Sequence, residues 1–129
     1  MDIAINFDGT CVTHEYPKIG KDIGAIPVLR RLAGNGHKLI LFTMRSGLQL
    51  DEAIEWFSTN NIPLYATQYN PTQKEWTSSN KCYAQLYIDD AALGCPLIYS
   101  LDNITHSERP FVDWKTVEKL LNEKGILKS

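Results

Sequence analysis

An α/β fold built on a parallel sheet is what this sequence predicts, and three observations carry the prediction. Short apolar runs of strand length, each bounded by turn residues, recur along the chain. Between them lie stretches with apolar residues at helical spacing, which implies right-handed βαβ crossovers, a parallel sheet and helices on both faces. Polar residues follow the apolar runs directly. That places them at the carboxyl ends of the strands, where open α/β sheets hold ligands.

The first strand is read over residues 3–7. Ile3-Ala4-Ile5 is uniformly apolar, as a strand buried on both faces should be, and it runs straight into Asn6-Phe7-Asp8-Gly9-Thr10. A polar, Pro- and Gly-punctuated connection follows. Ile23, Ile26, Val28, Leu29 and Leu32 then mark a helix, with Pro27 early enough to be tolerated and Asn35-Gly36 closing it. Leu39-Ile40-Leu41-Phe42 is the second strand, ending at Thr43. Ser46 to Gln49 has capping-box spacing, and Leu50, Ala53, Ile54 and Phe57 give the inner face of a second helix. Leu64-Tyr65-Ala66 is a short third strand, and the polar residues 67–80 are loop with room for one helical turn. Residues 83–88 form the fourth strand, ending on Asp89-Asp90, and residues 96–99 a fifth, at an edge where Pro96 does least harm. Asp113-Trp114 opens a last helix through Val117, Leu120 and Leu121, terminated at Gly125.

Composition narrows the function classes. The chain has 129 residues, 43% of them apolar and 22% charged, which fits one globular domain spanning residues 1–129. A net charge of −2 offers no basic face for nucleic acid or anionic lipid. No apolar run approaches the roughly 20 residues of a membrane span, and no leader pattern opens the sequence, so a cytoplasmic protein is expected. Cys11, Cys82 and Cys95 are odd in number and widely spread, which suggests reduced, structural thiols. The oligomeric state is not encoded in any feature of the sequence.

The polar residues at the strand ends form a chemical set. Asn6 and Asp8 are two apart and share one side of an extended chain, and Gly9 lets the backbone turn away. Thr43 ends the second strand, Asp89 and Asp90 end the fourth, and Lys81 lies just upstream of it. Carboxylates gathered in one crevice repel one another and need a cation, and hard oxygen ligands suit Mg²⁺, which neutralises a phosphate. A Thr hydroxyl, loop N–H groups and a lysine can hold the phosphate oxygens. Each residue also has a plain reading as a turn, a cap or solvated surface; the combination is what points to a site.

Asn6-Phe7-Asp8-Gly9-Thr10, Thr43 after an apolar strand, Lys81, and Tyr87-Ile88-Asp89-Asp90 resemble the four motifs of the haloacid dehalogenase (HAD) superfamily, over residues 3–99. The resemblance implies a Rossmann-like three-layer sandwich with a five-stranded parallel sheet, its first strand central. Strands two and three would lie on one side of it, four and five on the other. It also implies Mg²⁺-dependent hydrolysis of a small phosphorylated molecule through an aspartyl-phosphate, without a cap domain. Asp8 would be the general acid/base. Thr43 and Lys81 would bind phosphate, with Lys74 the competitor for the lysine role. Asp89, Asp90, Asp8 and Asn6 would surround the metal, while Gly9, Thr10, Met44 and Arg45 would contact substrate.

One position departs from that pattern. The nucleophilic Asp of the family is Asn6 here, and a carboxamide is a poor nucleophile that cannot give a simple acyl phosphate. Cys11 and His14 are not placed to replace it. Two functions therefore stand side by side: a phosphohydrolase of low or no activity, and a non-catalytic relative that binds a metal or a phosphorylated ligand. A receiver-type phosphoacceptor domain is disfavoured because the third strand ends without a carboxylate. Near the mouth, Arg45 reads equally as an anion clamp or as solvent-facing, and His14 as a surface residue rather than a proton shuttle. Trp56 and Trp114 read as core, Trp76 as a pocket floor, and Lys115, Lys119 and Lys124 as a solvated helix face.

Overall fold

In the computed structural model, which describes residues 1–99 and 109–128, strand β1 (Asp2–Ile5) lies inside the sheet, as its composition requires. Ile3, Ala4 and Ile5 are all essentially without solvent exposure. Strands β2 (Lys38–Leu41) and β4 (Leu86–Ile88) flank β1 in parallel, and β3 (Ala66–Thr67) lies outside β2, giving the order β3-β2-β1-β4. Ile3 is in register with Leu39 on one side and Leu86 on the other. His106, for which the sequence offers no role, lies outside the described residues.

Among the described residues the parallel sheet has four strands, not five. The fifth expected strand is β5 (Leu97–Ile98), and it pairs antiparallel with β6 (Phe111–Val112) in a separate two-stranded sheet. The physical reason is length. Only residues 89–96 separate β4 from β5, and they form turns, whereas a parallel crossover needs a dozen or more residues. The third and fourth strands are also shorter than expected.

Helices α1 (Ala25–Gly34), α2 (Gly47–Thr59) and α3 (Trp114–Glu123) send Val28, Leu29, Leu32, Ala53, Phe57, Val117 and Leu121 into one apolar cluster with Ile3, Ile5, Leu39, Leu41 and Ile88. Ser46 is the N-cap of α2, but its side chain caps nothing. Asp113, by contrast, accepts from the Thr116 N–H and hydroxyl at the start of α3. Among the described residues no helix is long and apolar enough to cross a membrane.

The three helices pack on the Ile3 and Ile5 face; on the side of Ala4, Ile40 and Tyr87 lies the connection between β3 and β4, with one short 3-10 turn at Gln73–Glu75. The Tyr87 hydroxyl donates to the Cys82 carbonyl and accepts from the Ala84 N–H, so the irregular connection between β3 and β4 forms the third layer. That layer is polar and contains Pro71, so its backbone groups need partners other than a helix. Two fully buried amides supply them. Gln73 donates to the carbonyls of Ser79 and Lys81 and accepts from the Tyr83 N–H at 2.8 Å. Asn70 donates to the Asp2 carboxylate and the Tyr83 carbonyl and accepts from the Thr72 N–H and hydroxyl.

Candidate functional site

At the carboxyl edge of the sheet the chain leaves β1 and folds back at once, with the N–H groups of Thr10 and Cys11 both donating to the Phe7 carbonyl. Gly9 has φ +81°, and a Cβ there would lie 2.0 Å from His14 Nε2 and 2.7 Å from Asp90 Oδ2. Only glycine allows both side chains to close over this turn. The turn is pinned from behind, where the Val112 N–H donates to the Gly9 carbonyl and the Trp114 indole N–H to the Thr10 carbonyl at 2.6 Å. In front of it opens a cleft of ≈ 530 Å³. Asn6, Asp8, Thr43, Met44, Arg45, Asp89 and Asp90 all line it, with His14, Tyr16, Ala91 and Arg109. Gly9 and Thr10 form the turn behind them.

Asn6 is the centre of this arrangement. Its amide nitrogen lies 2.8 Å from Asp90 Oδ1, 3.0 Å from Thr10 Oγ1 and 3.1 Å from the Asp8 carbonyl oxygen. Thr10 Oγ1 also donates to Asp90 Oδ1 and accepts the Asp90 N–H, and His14 Nε2 lies 3.0 Å from Asp90 Oδ2. Asp90, not Asp89, is thus the inward carboxylate. Asp89 lines the cleft but turns one oxygen to the Ala91 N–H, beginning the turn that ends β4.

Arg45 is almost fully buried, and all five of its N–H donors are taken. Nε and Nη2 hold the two Asp8 oxygens at 2.8 and 2.7 Å. The remaining donors go to the carbonyls of Pro17, Lys18 and Gln49. Its guanidinium lies 5.0 Å from the Phe7 ring centroid and 5.2 Å from that of Tyr16. Both readings made from the sequence are therefore replaced. Arg45 neither clamps a substrate anion nor faces solvent; it ties Asp8, the 11–24 connection and α2 together. Asp8, expected as general acid/base, has both carboxylate oxygens engaged.

Thr43 is positioned by a residue that sequence reasoning missed. The Gln68 side chain accepts from the Thr43 N–H at 2.7 Å and donates to its carbonyl at 2.6 Å, from a backbone with φ +66°. Gln68 follows the third strand as Thr43 follows the second, but a search for charge at that strand end passes over an amide. The Thr43 hydroxyl oxygen accepts the Arg45 N–H, leaving its hydrogen for a ligand.

Lys81 and Lys74 do not line this cleft. Lys81 precedes β4, and Gln85, which begins that strand's approach, bonds to the Asp2 backbone at the amino end of β1. A lysine upstream of β4 therefore lies at the opposite edge of the sheet from the end of β4. Its ammonium sits 5.5 Å over the Tyr87 ring. The cationic side chains at the cleft, besides Arg45, are Arg109 and, when protonated, His14, whose side chain is only 13% exposed and not the surface residue expected. Trp76 floors no part of this cleft, Trp114 is core and Trp56 half-buried. Cys11 is no substitute nucleophile. Its thiol is buried, points to the Asn6 carbonyl, and is pushed well above its ordinary pKa, first by desolvation and then by the Asp8 charge.

A resident Mg²⁺ would need hard oxygen donors converging at this edge. The Asp8 carbonyl and the Asp90 carboxylate are suitable hard ligands, but both accept N–H bonds from Asn6, whose amide points nitrogen rather than oxygen at the place a cation would share with them. Among the described residues no group of three or more His, Cys, Asp or Glu is gathered to hold a metal ion. With Asn6 so oriented, the residues present do not fit a resident Mg²⁺.

No protein family profile and no curated protein matches the chain. A solved structure, that of a conserved protein coded by a locus of Bacteroides thetaiotaomicron, is similar over nearly the whole length. It is 36% identical, with 96% of this chain and 91% of that one covered and a TM-score of 0.76.

Proposed function

This chain belongs to the same family as that conserved Bacteroides thetaiotaomicron protein, and we propose that it is a capless HAD-like protein that binds a small phosphorylated ligand without hydrolysing it. The observation that carries this reading is the Asn6 amide bonded to Asp90, Thr10 and the Asp8 carbonyl. A carboxylate at this position would face Asp90 across 2.8 Å and require a cation between them; the amide answers the same acceptors with its own hydrogens and leaves no nucleophile. The Thr43 hydroxyl and Arg109 then face the ligand, and the strand order β3-β2-β1-β4 supports the HAD-like reading of the motif positions.

The test compares the native protein with Asn6→Asp. The native protein should bind phenyl phosphate in calorimetry, lose that binding with Thr43→Val plus Arg109→Ala, and release phenol at background rate. Asn6→Asp recreates the like-charged pair and should bind Mg²⁺ at least ~10-fold more tightly than the native chain. With added Mg²⁺ its turnover should rise by at least ~10²-fold, a modest share of what an assembled site contributes, and fall back when Asp8→Asn is added. Full turnover by the native protein overturns the reading. Asn6→Asp that binds Mg²⁺ yet stays inert assigns Asp8 to Arg45 alone and leaves the binding function standing.

A further inference from the structure

We propose that the irregular third layer carries a second binding site, for a free mononucleotide, in the ≈ 300 Å³ recess bounded by Trp76, Lys81, Tyr83 and Tyr87. The recess is built in advance of any ligand. Gln73, without solvent exposure, fixes the backbone of Ser79, Lys81 and Tyr83, and the Tyr87 hydroxyl fixes Cys82 and Ala84. A loop held this firmly spends little conformational entropy on binding.

What the recess displays defines the ligand. Trp76 is 62% exposed, and its ring meets Tyr83 edge-on, with centroids 5.3 Å apart at 88°. That leaves an aromatic corner, one large face open for a planar ring to stack on. The ionised side chain lining the corner is Lys81. The hydroxyl oxygens of Thr77 and Ser79 accept the N–H groups of Ser79 and Lys81, which leaves their hydrogens to donate outward. No carboxylate lines the recess to repel an anion, which finds an ammonium and two hydroxyl donors there. A planar ring bearing a phosphate satisfies both halves. A single lysine on a chain of net charge −2 offers no track for a polyanion, which selects a mononucleotide over a strand.

Calorimetry on the intact protein with AMP, adenosine and a pentaadenylate tests this. AMP should bind more tightly than adenosine, and the exposed-residue variant Trp76→Leu should weaken AMP at least ~10-fold, in line with base stacking on an aromatic platform. Lys81→Ala should abolish the preference for AMP over adenosine, and should do so equally in the Thr43→Val plus Arg109→Ala background, where the other cleft no longer contributes. The proposal fails if AMP gives no heat, if Trp76→Leu binds AMP as the native protein does, or if Lys81→Ala keeps the preference. It also fails if no AMP binding remains in that background, or if pentaadenylate outcompetes AMP by more than ~10-fold.

Discussion

The carboxyl edge of the sheet and the third layer over its face are both organised by buried polar side chains, charged in the first and neutral in the second. At the carboxyl edge Arg45 answers Asp8 and three backbone carbonyls; under the third layer Gln73 and Asn70 answer backbone and side-chain groups with uncharged amides. A buried guanidinium fixes geometry strongly, but only while its counter-ion and every donor remain engaged, so it cannot also recognise a ligand. A neutral amide carries less desolvation cost, and the lysine whose carbonyl it holds keeps its ammonium over the Tyr87 ring. The difference explains why the cation nearest the expected active centre is structural, and why the one expected to be catalytic is displayed elsewhere.

The largest effect should come from breaking the charged hub. Arg45→Ala leaves the Asp8 carboxylate and three carbonyls without their donors, and should cost about 3–5 kcal/mol in denaturant unfolding. Arg45→Lys should recover little of it, since one ammonium cannot reach the same acceptors in a fork. A cost below about 1 kcal/mol would place the organising interactions elsewhere. The neutral hub should give way more gently. Gln73→Ala strands two carbonyls and one N–H, an expected loss of about 2–3 kcal/mol, with faster amide exchange confined to residues 70–85. Exchange that rises equally in β1 and β2 would show that the third layer and the sheet open as one unit.

The smallest effect sharpens the comparison with a half-buried carboxylate at a helix start. Asp113 is held below the usual carboxylate range, mainly by the Thr116 hydroxyl and then by backbone N–H donors, with burial opposing. A lowered folded value means stability that is present above the unfolded pKa and lost as pH falls through the folded one. Asp113→Ala should therefore cost about 1 kcal/mol at pH 7, the usual worth of such a cap. The gap should begin to narrow below about pH 4, where the free carboxyl protonates, and close as pH falls through the lower folded value. A gap unchanged at pH 3 would remove charge from the cap's contribution.

What was legible in the sequence is what local pattern encodes. Ile3-Ala4-Ile5 marks an interior strand because both faces must be apolar, and Asn6, Asp8, Thr43 and Asp90 meet because each ends a strand of one parallel sheet. The third layer left no such trace. Its order depends on bonds such as Asn70 to Asp2, which no window of helical or strand period can contain. Lys81 was misplaced for a related reason, since nearness in sequence to the start of β4 is distance in space from its end. Arg45 was ambiguous because a long side chain decides its partners in three dimensions. The count of strands failed on connection length, which residues 89–96 do display and an apolar run at 96–99 obscured.

The bonds from Val112 and Trp114 to the carbonyls of Gly9 and Thr10 have a consequence for the order in which the protein is made. The turn that carries the first motif is synthesised before β2, yet the Val112 N–H and the Trp114 indole that hold its carbonyls come more than a hundred residues later. A nascent chain can pair β1 with β2 as soon as both have emerged, but the motif turn stays unbraced until the start of α3 follows. Completion of the cleft is thereby coupled to completion of the chain through α3, and a product arrested before Val112 would carry the sheet's first strands without a finished site.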